Sequence, residues 1–546
     1  MGTLLRTTIG DLFDEVAARF PDREALIDIP GGKRYSYQQV LNIVNRLAKA
    51  FLKLGIGKGE HLALWTPNLR EAIITEFAAA KIGAVLMTLD TNAQLQQLQY
   101  LLRQSDAQTL IMSEGNNDTE HIAMIRQLCS EAETKAPRQV DCQALPDLRR
   151  IIVISDQPHS GMLTWEEVVE AGEEISDLAL AERQRTCHAD DVATLLYTSG
   201  TTGAPKGVMS THFGVLNTTL ASANNQHLTE QDRLCLSVPL SHMFGCICVV
   251  MAAMVKGAAL VIPSPAFEPK KVLEAIATER CTAIYGSPGA FIALLETPEY
   301  GQFNLASLRT GIMGGAQCPL EVMKRVTGGM GAREIVIGYG QTEASSWITM
   351  TRPDDPLELR VSTVGRPLPD VEVKLIDPLD GQEVSTGAVG EICARGLNMK
   401  GYYKMPAATA NAVDSEGWLH TGDLGTIDGD GYMRTTGRIK DVIVRGGEAI
   451  HPTEIEEILF CHPKISNIQI FGVPSRTLGE EVAAWIILEG GATSTEEEML
   501  LYFREKLPAS CLPSYIKFVQ EFPMTSLGKI QKFRMRELAI KEYGLE

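Results

Sequence analysis

The chain has 546 residues, 45% of them hydrophobic and 22% charged, ordinary proportions for a folded protein with a large core that argue against a disordered chain. With 50 Lys and Arg against 68 Asp and Glu the net charge is −18, which weighs against a nucleic-acid partner but not against a small anion held by local positive charge. At about 150 residues per domain the length suggests three or four structural units.

From Ser36 to Leu54 the apolar residues Val40, Ile43, Val44, Leu47, Phe51 and Leu54 recur at helical spacing. Gly55, Gly57 and Gly59 break that pattern, and His61–Trp65 reads as a short buried strand. A helix around Ala72–Ala80, a strand at Gly83–Thr88, a helix around Leu95–Arg103 and a strand at Thr109–Met112 follow. Such alternation predicts parallel sheets covered on both faces. The polar stretch Glu114–Arg149 reads as peripheral, and a second helix–strand alternation runs from Phe213 to about Ile337. Within it Met243–Val255 is the longest strongly apolar run. Its roughly 13 residues fall short of the ~20 that a membrane-spanning helix needs, so a buried core helix is predicted.

After Asp354 the short β-rich runs Val371–Ile376, Gly390–Ala394 and Tyr432–Thr436 predict a small antiparallel or barrel-like subdomain. A compact α+β unit follows, with a helix at Thr453–Cys461 and strands at Ile468–Val473 and Val482–Glu489. The predicted class is therefore α/β. Residues 1–437 form a large N-terminal domain, with two α/β subdomains to about 353 and the β-rich part from about 354; a joint at 438–441 leads to a small α+β domain at 442–546. The eleven cysteines are scattered without a CxxC pair, which indicates neither a disulfide framework nor a zinc site. Met1–Arg6 lacks the apolar run of a secretory peptide, and a reducing cytoplasm is the expected compartment.

The most informative segment is Leu195–Gly207, in which an apolar strand enters a loop of Thr198, Ser199, Gly200, Thr201, Thr202 and Gly203, closed by Lys206. Glycines let backbone N–H groups approach phosphate oxygens, hydroxyls donate further bonds, and lysine adds a point charge. Pro205 stands where the Walker pattern requires Gly, and Gly207 where it requires Ser or Thr. A generic glycine loop would be a surface turn; the density of this string points to phosphate.

Further motifs follow in order: Pro239–His242, Gly314-Gly315-Ala316, Gly338–Glu343, Thr421–Asp423, Gly437-Arg438, Arg445–Glu448 and Gly528-Lys529. The ordered set resembles the adenylate-forming superfamily of acyl-CoA and aryl-CoA synthetases, luciferases and nonribosomal adenylation domains. The likeness covers nearly the whole chain and is strongest with medium-chain fatty acyl-CoA synthetases from Gly437 to Arg534. It implies two half-reactions: a carboxylate attacks the α-phosphate of ATP and expels pyrophosphate, and the thiol of coenzyme A then takes the acyl group and releases AMP.

The resemblance also implies roles. Thr198 to Lys206 wrap the β- and γ-phosphates, Thr342 binds the α-phosphate, and Glu343 holds Mg²⁺. Gly314, Gly315, Ala316 and Tyr339 lie beside the adenine, and Gly338, Gly340 and Gln341 complete the ATP- and AMP-binding set. Asp423 accepts from both ribose hydroxyls and Arg438 reaches ribose or phosphate. Lys529 inserts between the acid and the α-phosphate. For thioester formation the C-terminal unit is mobile about Lys440, and Arg445, Gly446, Gly447 and Glu448 line a pantetheine tunnel. His242 stands between the acyl and pantetheine channels, beside Ser241, a position often aromatic in the family.

Plainer readings stand beside these: a capped helix start for Thr342-Glu343, a buried aromatic for Tyr339, an interdomain salt bridge for Arg438, a core histidine for His242. Gly446-Gly447 could equally be a tight turn between strand and helix, and Lys529, Lys532, Arg534 and Arg536 a solvated face.

From Leu234 through Phe267 there is no Asp or Glu, which disfavours amino-acid substrates, because a buried ammonium needs a carboxylate partner. Met243, Phe244, Cys246, Cys248, Tyr285, Gly289 and Phe291 suggest an apolar acyl pocket. The expected activity is an AMP-forming acyl-CoA synthetase for an uncharged, medium-chain aliphatic or alicyclic acid. The alternatives are an aryl-CoA synthetase, an acyl-AMP ligase serving a carrier protein, and a silent nucleotide-binding scaffold. Monomer and homodimer both stay open.

Overall fold

The computed structural model describes residues 4–115, 120–129, 140–198, 205–316, 318–524 and 530–545. Among them the chain divides into two units: one runs to Glu372 and takes back Ala394–Leu419, the other comprises Val373–Cys393 and the chain from His420 onward.

The first unit holds two large sheets. One has nine strands, in the order Arg366–Pro367, Ser346–Met350, Glu334–Gln341, Thr310–Gly314, Ala283–Gly286, Arg233–Cys235, Ala259–Ile262, Glu24–Asp28 and Lys33–Ser36. From Glu334–Gln341 to Glu24–Asp28 neighbours run parallel, and antiparallel strands close both edges. The second has eight, in the order Gly401–Tyr402, Lys206–Thr211, Val192–Thr198, Val85–Thr88, His61–Trp65, Thr109–Ser113, Arg150–Ile154 and Leu163–Thr164. It is parallel except at the Lys206–Thr211 end. This is the predicted α/β alternation.

Local sequence explains the elements. The helix Tyr37–Lys53 opens on a capping box, Ser36 Oγ accepting from Gln39 N while Gln39 Oε1 accepts from Ser36 N. Of its predicted stripe, Val40, Val44, Leu47 and Phe51 are buried, while Ile43 and Leu54 are half-buried against the same core. The helix Arg70–Ile82 stops because Gly83 takes a left-handed φ of 73°, so the next strand begins at Val85 rather than at the glycine. The apolar run after Met243 is buried as predicted, but Phe244–Met251 is a π-helix and only Ala252–Lys256 is α-helical. A π turn is rare and disturbs the side-chain register that helical spacing assumes. Among the described residues no helix is long and apolar enough to cross a membrane. Cys129 and Cys142 form a disulfide with Cα atoms 5.1 Å apart, which corrects the expectation of none. The pair is 13 residues apart in sequence, and nothing in that spacing announces it.

The second unit holds a four-stranded sheet in the order Glu372–Ile376, Gly390–Arg395, Leu419–Ile427 and Met433–Arg438. After it comes a sheet of Glu448–Ile450, Ile443–Arg445, Gly479–Leu488 and Ile465–Ser475, with Tyr515–Phe518 added parallel to Gly479–Leu488. Alternation along that central strand sends Val482, Ala484 and Ile486 to one face, against the helices Pro452–Leu459 and Glu496–Lys506. Ala483 and Trp485 face the helix Lys532–Tyr543 on the other.

Candidate active site

Thr198 ends one strand directly opposite Lys206, which begins its antiparallel neighbour, so the hydroxyl-rich loop springs from a paired base. Ser199, Gly200, Thr201, Thr202 and Gly203 lie outside the described residues, as do Gly528 and Lys529. Lys206 Nζ lies 4.8 Å from the centroid of the Tyr402 ring, over its face. Tyr402 is buried on the edge strand Gly401–Tyr402, opposite Val208, and its hydroxyl donates to Glu343 Oε1 at 2.9 Å. Burial, aided by the Glu343 carboxylate, pushes this phenol far above its ordinary range and keeps it a donor. Met399 N donates to Glu343 O at 2.7 Å, fixing the backbone as well. One ring thus joins a cation and a carboxylate that stand 137 residues apart in the chain, as the numbers of Lys206 and Glu343 give. Tyr402 was not among the expected site residues; its only signal was an aromatic in a Gly-Tyr-Tyr run.

Thr342 is buried in a single 3₁₀ turn, Thr342–Ala344, that follows the strand Glu334–Gln341. Gln341 is the capping residue and makes no side-chain cap, so the capped-helix reading of Thr342-Glu343 does not apply. Ser345 closes the turn at φ 56°, its N–H donating to Thr342 O at 3.0 Å. Gly314 lies opposite Gly338 on parallel strands. A Cβ at Gly338 would meet the Trp347 ring at 2.8 Å, and one at Gly340 would meet Ser346 O at 1.9 Å. Packing alone therefore demands these two glycines. Gly315 is exposed with φ +87° and open space around it, and Ala316 is exposed beside it; Tyr339 and Gln341 are half-buried.

His242 Nδ1 accepts from Phe244 N at 3.0 Å, which leaves Nε2 to carry the proton of the neutral ring. Phe244 packs edge-on to Trp347 at 5.5 Å and tilted to Tyr285 at 6.1 Å. Met243, Phe244, Cys246, Cys248 and Tyr285 share one core cluster. Phe291 belongs to another, with Ile284, Met313 and Ile337, so it is not brought to the rest of the expected pocket. Glu76, from the helix Arg70–Ile82, is 5% exposed, and its Oε1 has no hydrogen-bond partner. Burial pushes its carboxyl well up, as burial does the neighbouring Cys246 thiol. The count of acidic residues along Leu234–Phe267 could not see a carboxyl delivered by a different helix.

In the second unit Asp423 lies opposite Arg438 on adjacent strands, with Arg438 Nε 3.0 Å from Asp423 Oδ1. Gly422 takes φ +70° and donates its N–H to Glu391 Oε1 at 3.1 Å, while Asp423 N donates to Thr421 Oγ1 at 3.1 Å. Lys440 is exposed on the 3₁₀ turn Ile439–Asp441. Gly446 and Gly447, at φ 60° and 88°, form a two-residue turn joining Ile443–Arg445 to Glu448–Ile450, a link between two strands that requires positive φ twice. Glu448 is exposed, but Arg445 is tied down: Nη2 lies 2.8 Å from Glu481 Oε2, and Nη1 donates to Ser510 O at 2.6 Å. Lys532 and Arg536, expected on a solvated face, pair at 2.6 Å with Glu456 and Glu480 respectively.

The AMP-binding enzyme family matches residues 13–403, and its C-terminal domain family matches residues 454–529. The chain belongs to this adenylate-forming family of enzymes. A putative acyl-CoA synthetase, YngI of Bacillus subtilis, is 44% identical over 100% of this chain and 99% of its own length. The mitochondrial medium-chain acyl-CoA ligase ACSF2 of Danio rerio is 36% identical over 99% of this chain and 90% of its own length. Among solved structures, ATP-bound MatB from Rhodopseudomonas palustris superposes with a TM-score of 0.84 at 26% identity, covering 98% of this chain and 99% of that one. The chain is thus an acyl-CoA synthetase or ligase by its relatives.

Proposed function

We propose that the protein activates an uncharged organic acid as its acyl-adenylate and transfers the acyl group to coenzyme A, with medium-chain aliphatic or alicyclic acids as the substrate class. The observation that carries this reading is the Lys206–Tyr402–Glu343 cluster at the root of the hydroxyl loop. A single carboxylate aimed by a phenol suits Mg²⁺, which binds through one or two carboxylates plus phosphate oxygens. Bound there, the ion would neutralise phosphate charge during attack of the acid on ATP.

The remaining roles are those that the family resemblance implies. Lys206 and the loop Thr198–Gly203 hold the outer phosphates, and Thr342 donates to the α-phosphate. Gly314, Gly315, Ala316 and Tyr339 offer the adenine a backbone edge and a ring face. Asp423 anchors the ribose and Arg438 its neighbouring oxygen. Lys529 supplies the ammonium that lets two anions meet. For the thioester step Lys440 is the pivot between residues 1–437 and 442–546, the Arg445–Glu448 turn borders the pantetheine, and His242 stands at the junction of acyl and thiol paths. The buried aromatics Phe244, Tyr285 and Trp347, packed on one another, are also compatible with a flat acid, so benzoate-like acids form the second series.

Pyrophosphate release measured across a panel of acids, with and without coenzyme A, tests this. Release should be greatest with medium-chain acids, with acyl-CoA formed only when the thiol is present. Release without any transfer to coenzyme A would favour a carrier-protein ligase, and no acid-dependent release would overturn the reading.

A further inference from the structure

A side-chain cluster apart from the nucleotide groups lies in the four-stranded sheet. Glu391 and Cys393 are two residues apart on the strand Gly390–Arg395, so both leave on one face. His420 stands on the next strand, Leu419–Ile427. Glu391 Oε2 is 3.0 Å from His420 Nδ1, Cys393 Sγ is 3.7 Å from the same nitrogen, and all three atoms lie within 4.8 Å of one another.

We propose that Glu391, Cys393 and His420 form a binding site for one divalent ion of the zinc class. Bonds of about 2.0 Å to N and O and about 2.3 Å to S put tetrahedral neighbours roughly 3.3–3.5 Å apart. The two nitrogen-centred edges already bracket that spacing. Thiolate, imidazole and carboxylate together select a borderline-soft ion over Mg²⁺ or Ca²⁺. Three protein ligands leave a fourth position, and it falls on the accessible side: the His420 side chain is 29% exposed, whereas Cys393 is wholly buried. The second oxygen of Glu391 accepts from Gly422 N at 3.1 Å, the kind of outer hydrogen bond that aims a ligating carboxylate.

Loading balances simply. The Nδ1 proton that His420 shares with Glu391 moves to Nε2, freeing the Nδ1 lone pair, and the Cys393 thiol releases its proton to solvent as the sulfur–metal bond forms. One proton leaves per ion, so affinity falls as pH falls.

The test uses the full chain, stripped of metal, with the more accessible thiols removed by Cys461→Ser and Cys511→Ser. Titrated with Co²⁺, it should bind one equivalent with thiolate-to-cobalt charge-transfer absorption, be displaced by one equivalent of Zn²⁺, and resist excess Mg²⁺. Cys393→Ser should abolish the absorption, and His420→Gln should weaken binding at least tenfold, with unchanged circular dichroism. Absence of the band, or a band that survives Cys393→Ser, overturns the proposal. If Cys393→Ser does not fold, His420→Gln on the accessible side decides, and undiminished affinity there overturns it.

Discussion

The site groups of the two units hold their charges differently, although ion pairs such as Arg309–Asp232 and Arg150–Glu60 occur elsewhere in the first unit. In the first, Lys206 and Glu343 are held by one buried phenol, a cation on its face and a carboxylate at its hydroxyl, with neither charge cancelled by the other. In the second, Asp423 binds Arg438, Glu481 binds Arg445, Glu456 binds Lys532 and Glu480 binds Arg536. The first arrangement is set before any ligand arrives, which is what charge stabilisation of a polyanion requires. The second keeps its cations in pairs, so a ligand there must exchange one partner for another. Under the proposed function, the preset groups would hold phosphate while the paired groups would have to exchange partners.

The largest expected effect breaks the comparison at its switching side. Lys529→Ala should cut acid-dependent pyrophosphate release by about a thousandfold or more while largely sparing thioester formation from preformed acyl-AMP. Equal losses in both assays would remove Lys529 from the first step. Lys440→Pro should do the reverse, slowing thioester formation from acyl-AMP by at least about tenfold, because a fixed φ stiffens a pivot. Unimpaired transfer would put the pivot elsewhere. On the preset side, Glu343→Gln should lower adenylation about 10²–10³-fold and raise the Mg²⁺ needed for half-maximal rate. Tyr402→Phe should cost roughly tenfold, since it removes one hydrogen bond to a charged group and leaves the ring under Lys206 in place. A Tyr402→Phe enzyme with unchanged Mg²⁺ dependence would mean that the phenol does not aim the carboxylate.

The last expected effect is on stability rather than on rate. The Glu76 carboxyl is raised well above its ordinary value by burial, so above about pH 4.5 the unfolded chain loses a proton that the folded chain retains. Stability then declines as pH rises, by up to about 1.4 kcal/mol per unit, until the folded carboxyl also ionises. Glu76→Gln should flatten that slope in urea melts between pH 5 and 8 and be the more stable protein at the upper end. Parallel slopes for the two proteins would show that Glu76 is ionised in the fold.

Much of this was legible in the sequence, and the illegible parts share a cause. The helix Tyr37–Lys53 and the strand His61–Trp65 could be read because periodicity and caps are local. The order of the glycine and hydroxyl motifs announced the family for the same reason. Tyr402 and Glu76 were hidden because each acts across sequence distance, through sheet pairing or helix packing, while the Cys129–Cys142 pair has no spacing that announces it. Phe291 was grouped with Phe244 on composition, yet Ile284 and Met313 share its cluster instead, because successive strand residues face opposite sides. The π-helix escaped because its composition is simply apolar, and an i to i+5 ladder leaves no mark on hydropathy.

Ser345 and Ser346 sit at φ 56° and 147°, with one residue between them and the Thr342-Glu343 pair. Conformations of this kind cost on the order of 1–3 kcal/mol each for residues other than glycine. The surrounding structure therefore clamps a tensed spring next to the groups that the proposed function aims at phosphate. Relaxing either serine by glycine would release that strain at the cost of a looser turn beside Thr342 and Glu343.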